Sequence, residues 1–216
     1  MKLRNSEKII LLIVALSFIV GYFVYPLMPV RVASHWNAAG EVNGYMSRFW
    51  GTFFLPVLLV GMFLLFYIIP KIDPKKENIE KFRKYFDYFI VFIFVFLLYL
   101  YGLTLFWNLG FRLDMVRWLV PAFAILFYMV GILVGKAEPN WSIGIRTPWT
   151  LSSARSWKNT HALAEKLYKS AAAIALIGIF IPAYGIWFIL VPIIFYSLLL
   201  VAYSYIEYKK DNISIK

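Results

Sequence analysis

The sequence predicts an all-α polytopic membrane protein with six transmembrane helices and with its N and C termini in the cytoplasm. Three observations carry this expectation. Of 216 residues, 62% are hydrophobic and only 15% are charged, whereas a soluble domain carries about 45–50% apolar and roughly 25% charged residues. The apolar residues gather into runs of about 20, the length that crosses roughly 30 Å of hydrocarbon. The charges sit at the ends of these runs, and Lys and Arg are divided unequally between the two sides that the runs define.

The spans follow in order. Ile9–Met28 is the first. Lys2, Arg4 and Lys8 precede it as basic residues precede a signal core, but the apolar run exceeds the roughly 7–15 residues of such a core and no clear A-x-A cleavage site follows, so an uncleaved span is expected. Trp50–Ile69 is the second, with Pro56 inside it, and Phe86–Leu109 is the third. Trp118–Gly135, the fourth, contains Pro121. Ser170–Ile181 is short and is expected to extend back through Ala162–Tyr168 as one longer helix. Pro182-Ala183-Tyr184-Gly185 reads as a tight turn into the sixth span, Gly185–Ile206, which contains Pro192. Tyr22, Tyr25, Trp50, Tyr67, Trp107, Trp118, Tyr203 and Tyr205 lie near span ends, where amphipathic rings sit at the headgroup level.

The basic residues set the orientation. Eighteen of the 22 lie at the N-terminus, in the second and fourth loops and at the C-terminus, from Lys2 to Lys216. The other four are Arg31, Arg48, Arg112 and Arg117. Cytoplasmic loops carry the excess of Lys and Arg, so both termini and the second and fourth loops are expected inside. The net charge of +11 is thereby accounted for by topology rather than by nucleic acid, and no direct nucleic-acid binding is expected. The chain has no cysteine, which excludes disulfides, thiolate metal sites and cysteine nucleophiles.

Two loops are unlike the rest. The outer one, Val30 to Tyr45, holds His35, Trp36, Asn37, Gly40, Glu41, Asn43, Gly44 and Tyr45, with Gly40 and Asn43-Gly44 as turn signals. His35 with Glu41 could hold a metal or sense pH; hydrogen bonding of His35 within its own loop is the favoured reading, because one His and one Glu make a poor metal shell. The inner one, Pro139-Asn140-Trp141-Ser142-Ile143-Gly144-Ile145-Arg146-Thr147-Pro148-Trp149, is rich in donors and in chain-breaking residues. Arg146 presents a planar donor fork suited to a phosphate or carboxylate. It either grips a headgroup or a partner's carboxylate, or ties the loop together through backbone carbonyls. A helix is expected to begin near Ser152 or Ser153, both good caps. Trp157, His161, Ala164 and Tyr168 then share one face, and Arg155, Lys158, Glu165 and Lys169 share another. Such a basic amphipathic helix is expected to lie on an anionic leaflet, with a docking surface for a cytoplasmic protein as the alternative.

Catalysis fits poorly. The two histidines, His35 and His161, fall on opposite sides of the membrane, and no HExxH, nucleophile elbow or phosphate-binding glycine loop is present. No enzyme, cofactor or metal is expected. Coupled transport is weakly supported, since Asp87, Glu138 and Glu207 all lie at span ends and no acid sits mid-membrane.

The two loops together resemble a known family. His35-Trp36-Asn37, Gly40 and Asn43-Gly44-Tyr45 resemble the first-loop motif of the DUF1648 domain. Pro139-Asn140, Gly144-Ile145-Arg146-Thr147-Pro148-Trp149, Trp157 and Thr160-His161 resemble the SdpI domain. Their order and spacing are similar to those of the SdpI family of toxin-immunity membrane proteins, over nearly the whole chain. The resemblance implies a DUF1648-like region at residues 1–85, with spans one and two, and an SdpI-like region at 86–216, with spans three to six. It implies a multi-pass cell-membrane protein that protects against a secreted peptide toxin, SdpC in the best-known member. It also implies a receptor role, in which a cytoplasmic repressor, SdpR, is held at the membrane. The implied partners are the lipid bilayer, an extracellular peptide toxin and a cytoplasmic repressor; a small-solute transporter is the alternative. The binding residues carried over by motif are His35, Trp36, Asn37, Gly40, Gly44, Tyr45, Pro139, Asn140, Gly144, Arg146, Thr147, Pro148, Trp149, Trp157 and His161.

Overall fold

The computed structural model describes residues 3–213. Lys2 and Lys216, counted above among the inner basic residues, lie outside them. The elements run α1 (Asn5–Val24), β1 (Arg31–Trp36), β2 (Val42–Ser47), α2 (Arg48–Ile72), α3 (Lys76–Lys81), α4 (Arg83–Asn108), α5 (Met115–Lys136), α6 (Pro148–Ser152), α7 (Ala154–Ile177) and α8 (Gly185–Ile213). Short 3₁₀ turns at Tyr25–Leu27 and Pro182–Tyr184 follow α1 and precede α8.

Helix starts follow local chemistry. Ser47 accepts the amide of Trp50 at the head of α2, Asp114 that of Arg117 at the head of α5, and Ser153 that of Ser156 at the head of α7. Pro56 cannot bond the carbonyl four residues back, which is that of Thr52. The Tyr101 hydroxyl of α4 donates to that freed oxygen at 2.9 Å, so the proline is accommodated by a neighbouring helix.

The six long helices alternate in direction. Arg4 meets Asp87 near the starts of α1 and α4, while Gly21 lies against Tyr101 further along both. At one end of the bundle stand the hairpin, the α4–α5 loop and the α7–α8 turn. At the other stand the described chain ends, α3 and the 137–147 loop. Helices α1, α2 and α4 bury Ile10, Leu59, Phe86 and Phe94 between them, and β1 adds Val32 to a second cluster with Met28, Tyr101 and Leu105. Helices α5, α7 and α8 bury Val120, Ala124, Ala171, Ala175 and Ile189.

Among the described residues, five helices are long and apolar enough to cross a membrane: Asn5–Leu27, Arg48–Ile72, Arg83–Asn108, Met115–Lys136 and Pro182–Asp211. Their outward faces carry Leu12, Phe23, Leu65, Ile125, Phe195 and Leu198 in the open. In water so much apolar surface would drive aggregation; in lipid it is solvated. The protein is a multi-pass membrane protein.

The sixth long helix, α7, joins the expected fifth span and the amphipathic segment before it into one helix, and the amphipathic part packs on the bundle. The Trp157 indole near its start donates to Ala137 O just past the end of α5, and Gly178 at its far end touches Gly185, which in turn meets Val116 and Val120 at the start of α5. It therefore runs antiparallel to α5 along that helix's whole length. Small residues make this approach possible: Gly131 and Gly135 of α5 face Glu165, and Ala164, Ala171 and Ala175 are fully buried. Arg155 also leaves its expected companions and pairs with Glu207 on α8. The expected fifth span ends at Ile177, short of Ile181.

The outer loop is not irregular, which qualifies the all-α expectation. It is an antiparallel hairpin pairing Arg31 with Ser47 and Trp36 with Val42, with irregular register around His35. Val32, Trp36, Val42 and Tyr45 favour strands, and Asn37 to Gly40 supply the turn.

Candidate functional site

At the termini end, the 139–149 segment folds into a compact knot around Asn140. This side chain is fully buried. Its Oδ1 accepts the amides of Ser142 and Ile143, and its Nδ2 donates to the carbonyls of Glu138 and Ile143. All of its hydrogen-bonding capacity goes into closing a tight turn. Gly144 follows at φ +110°, a left-handed conformation, and a Cβ there would strike the His161 ring. Thr147 caps α6, and Pro148 occupies the first helical position, where a missing N–H costs nothing. Thr150 donates to the carbonyl of Ile145, and Thr147 meets Ser204 of α8 at 3.0 Å.

Polar groups on α7, at the end of α2 and on α3 also hold this knot. His161, on α7, accepts the Ile145 amide at Nε2 and bonds the Trp157 carbonyl through Nδ1, while its ring stacks on Trp157 at 4.0 Å. That pattern assigns the proton to Nδ1. Burial pushes its pKa down to about 4, against a smaller upward influence from the Trp157 carbonyl, so the ring is neutral at pH 7. Asp73, one residue past α2 and nearly fully buried, accepts the Trp141 amide at 3.0 Å and the Ser142 hydroxyl at 2.5 Å. Asn78, on α3, donates to the Pro139 carbonyl. Arg146 is exposed but turns one guanidinium N–H back onto the Trp141 carbonyl. It thus takes the loop-tying arrangement while remaining exposed. Trp149 packs against Tyr205 of α8 at 5.1 Å.

At the hairpin end the motif is arranged differently. His35 Nδ1 and Asn43 Oδ1 are 2.5 Å apart across the strands, and Gly44 leaves room for the His35 side chain. Asn37 Oδ1 accepts the amides of Ala39 and Glu41, its Nδ2 donates to Glu41, and Gly40 takes φ +80°. Glu41 is therefore engaged with Asn37, and His35 bonds within its own hairpin. Among the described residues, no group of three or more His, Cys, Asp or Glu side chains is disposed to hold a metal. The Arg31 guanidinium sits 4.8 Å from the Tyr45 ring centre. Trp36 meets Trp107 edge-on, and Arg112 covers Trp107 at 3.9 Å. The Trp36 indole N–H is buried with no partner among the described residues.

The fifteen motif residues thus form two groups at opposite ends of the bundle, and α2 joins them. Its N-cap, Ser47, ends the hairpin, and the residue after its last turn, Asp73, holds the 139–149 knot. Helix α4 supports the hairpin too, since Asn108 Oδ1 accepts the Ala33 amide and its Nδ2 donates to the Ala33 carbonyl. Sequence reading singled out none of Asp73, Asn78 and Asn108. Asp73-Pro74 inside a run of lysines was the available signal for the first of them.

Comparison with known proteins matches residues 12–60 to the DUF1648 domain, described as a domain of unknown function, and residues 136–205 to the SdpI/YfhL protein family. The immunity protein SdpI of Bacillus subtilis (strain 168) is 28% identical over 210 residues, covering 96% of this chain and 98% of that protein. No solved structure matches.

Proposed function

This chain belongs to the SdpI family, and from that premise we propose that it is an integral membrane immunity and signalling protein, a binding protein rather than an enzyme. End-to-end similarity to an immunity protein carries this reading, with 96% of one chain aligned to 98% of the other. In this reading the hairpin faces the exterior and meets a secreted peptide toxin. Both termini and the inner knot face the cytoplasm, where the knot, with exposed Arg146 on its surface, holds a repressor. The charge division supports that orientation, and α7 completes six crossings alongside α5.

The structure also suggests how the ends communicate. Helix α2 is a single rod of about 37 Å at 1.5 Å per residue, with the hairpin on one end and Asp73 on the other. A shift of the hairpin on toxin binding moves Asp73 relative to Trp141 and Ser142. The inner knot then has two arrangements of different exposure, and the toxin biases one of them.

The test is survival of a toxin-sensitive bacterial host expressing the full chain and challenged with the SdpC peptide, beside an inert six-span protein at equal expression. Protection by this chain alone is expected. Full killing of cells that carry the correctly inserted chain would overturn immunity to that toxin.

A further inference from the structure

We propose that the groove between α5 and α7 binds the phosphate headgroup of an anionic phospholipid in the leaflet at the termini end. The groove has a volume of about 900 Å³, and Lys136, Lys158, Lys166 and Lys169 line it against Glu138 and Glu165. Glu165 is committed to Lys169 at 2.6 Å and occupies the space that a Cβ on Gly135 would fill. Lys158 and Lys166 are exposed and have no partner among the described residues. The groove thus presents unneutralised cations, with Trp157 and His161 in its wall.

Depth selects the occupant. One end of the groove lies at Pro139, in the loop layer, and the other reaches Lys169, whose ammonium is 5.7 Å from the Tyr128 ring of α5. Lys169 also lies against Gly131, five residues before Lys136 on α5, so the groove descends about 7 Å alongside a membrane-crossing helix. An acidic peptide would have to leave water to follow it. A phospholipid already has its phosphate at that level and its acyl chains below, where Ile125 and Tyr128 stand half exposed on the same helix. Lysine ammoniums on long stems reach the phosphate as point charges. The inference is independent of toxin immunity. It concerns a site whose wall is shared with the side chains that hold the inner knot.

The experiment is native mass spectrometry of the full-length chain released from mild detergent, titrated with phosphatidylglycerol or phosphatidylcholine. Retention of phosphatidylglycerol over phosphatidylcholine is expected. The Lys158→Gln/Lys166→Gln chain is expected to retain about tenfold less of it. The Lys158→Arg/Lys166→Arg chain, with its charge preserved, is expected to retain the parent level. A Lys75→Gln/Lys76→Gln chain, which loses the same charge outside the groove, should stay within about twofold of the parent. Equal loss in the two Gln chains, equal retention of both lipids, or no loss in the groove variant would overturn the site. Displacement of the lipid by glycerol 3-phosphate would reassign it to free phosphate, and displacement by a glutamate-rich peptide to an acidic protein segment; either result overturns the proposal.

Discussion

The two polar motifs of this chain send their hydrogen bonds to different places. At the termini end Asn140 is 0% exposed, Thr150 2%, His161 3% and Thr147 9%, and each bonds the backbone of the loop or of α7. At the hairpin end His35, Glu41 and Asn43 are exposed and bond only within the hairpin. What anchors the hairpin is apolar or lies on α4: Val32, 0% exposed against Gly51, and the Asn108 amide against Ala33. Buried polar groups are costly to orphan, whereas exposed ones return to water at little cost. Similar motif chemistry therefore braces the fold at one end and stands exposed at the other.

The largest test of this contrast is Asn140→Ala. Four hydrogen bonds from a fully buried side chain, two of them wholly buried, at about 1 kcal/mol each give a loss near 4 kcal/mol, read as a lower thermal midpoint in detergent; a loss below about 1 kcal/mol would mean that the knot is not held as described. Next comes pH. His161 has its folded pKa lowered to about 4 from an ordinary 6.5, so the folded state resists a proton that the unfolded chain accepts. At pH 7 and above both states are neutral and nothing is lost. As pH falls from 6.5 to 4, stability declines by about 3 kcal/mol in all. A midpoint series over that window should show the slope in the native chain and lack it in His161→Gln.

A third variant probes the hairpin's apolar anchor. In Gly51→Ala the new methyl collides with buried Val32. Overpacking outweighs the gain in helix propensity, for a net loss of about 1–2 kcal/mol, visible as faster tryptic cleavage at Arg31 and Arg48. The smallest structural effect is expected from His35→Ala. Its stability should stay within about 0.5 kcal/mol of the parent, while protection against the toxin falls if the displayed hairpin is the recognition surface. Unchanged survival with that variant would detach His35 from recognition, and a large drop in midpoint would erase the contrast between the two ends.

Much of the fold was legible in the sequence because it rests on local quantities. Hydrophobic run length located the long helices, Ser153 announced the start of α7, and the spacing of Trp157, His161 and Ala164 marked the face that is buried. The motif segments stood out through their turn residues: Gly40 and Gly144 do adopt positive φ. The hairpin was missed because a strand pair depends on register between two segments, and the periodicity of one short segment does not reveal it. Asp73 was missed because its partners, Trp141 and Ser142, lie 68 and 69 residues away and nothing in its neighbourhood encodes them.

The sequence by itself determined that this chain lives in a membrane, where its apolar helices run, and which residues can turn or cap, since transfer free energy and backbone sterics act on each segment separately. Only the tertiary structure decided that the amphipathic start of α7 packs along α5. Small residues on two helices let their backbones approach, and that match exists only when both surfaces are present. The same holds for His161, Asp73 and Asn78. Their roles are set by which buried amides and carbonyls need a partner once the helices have packed.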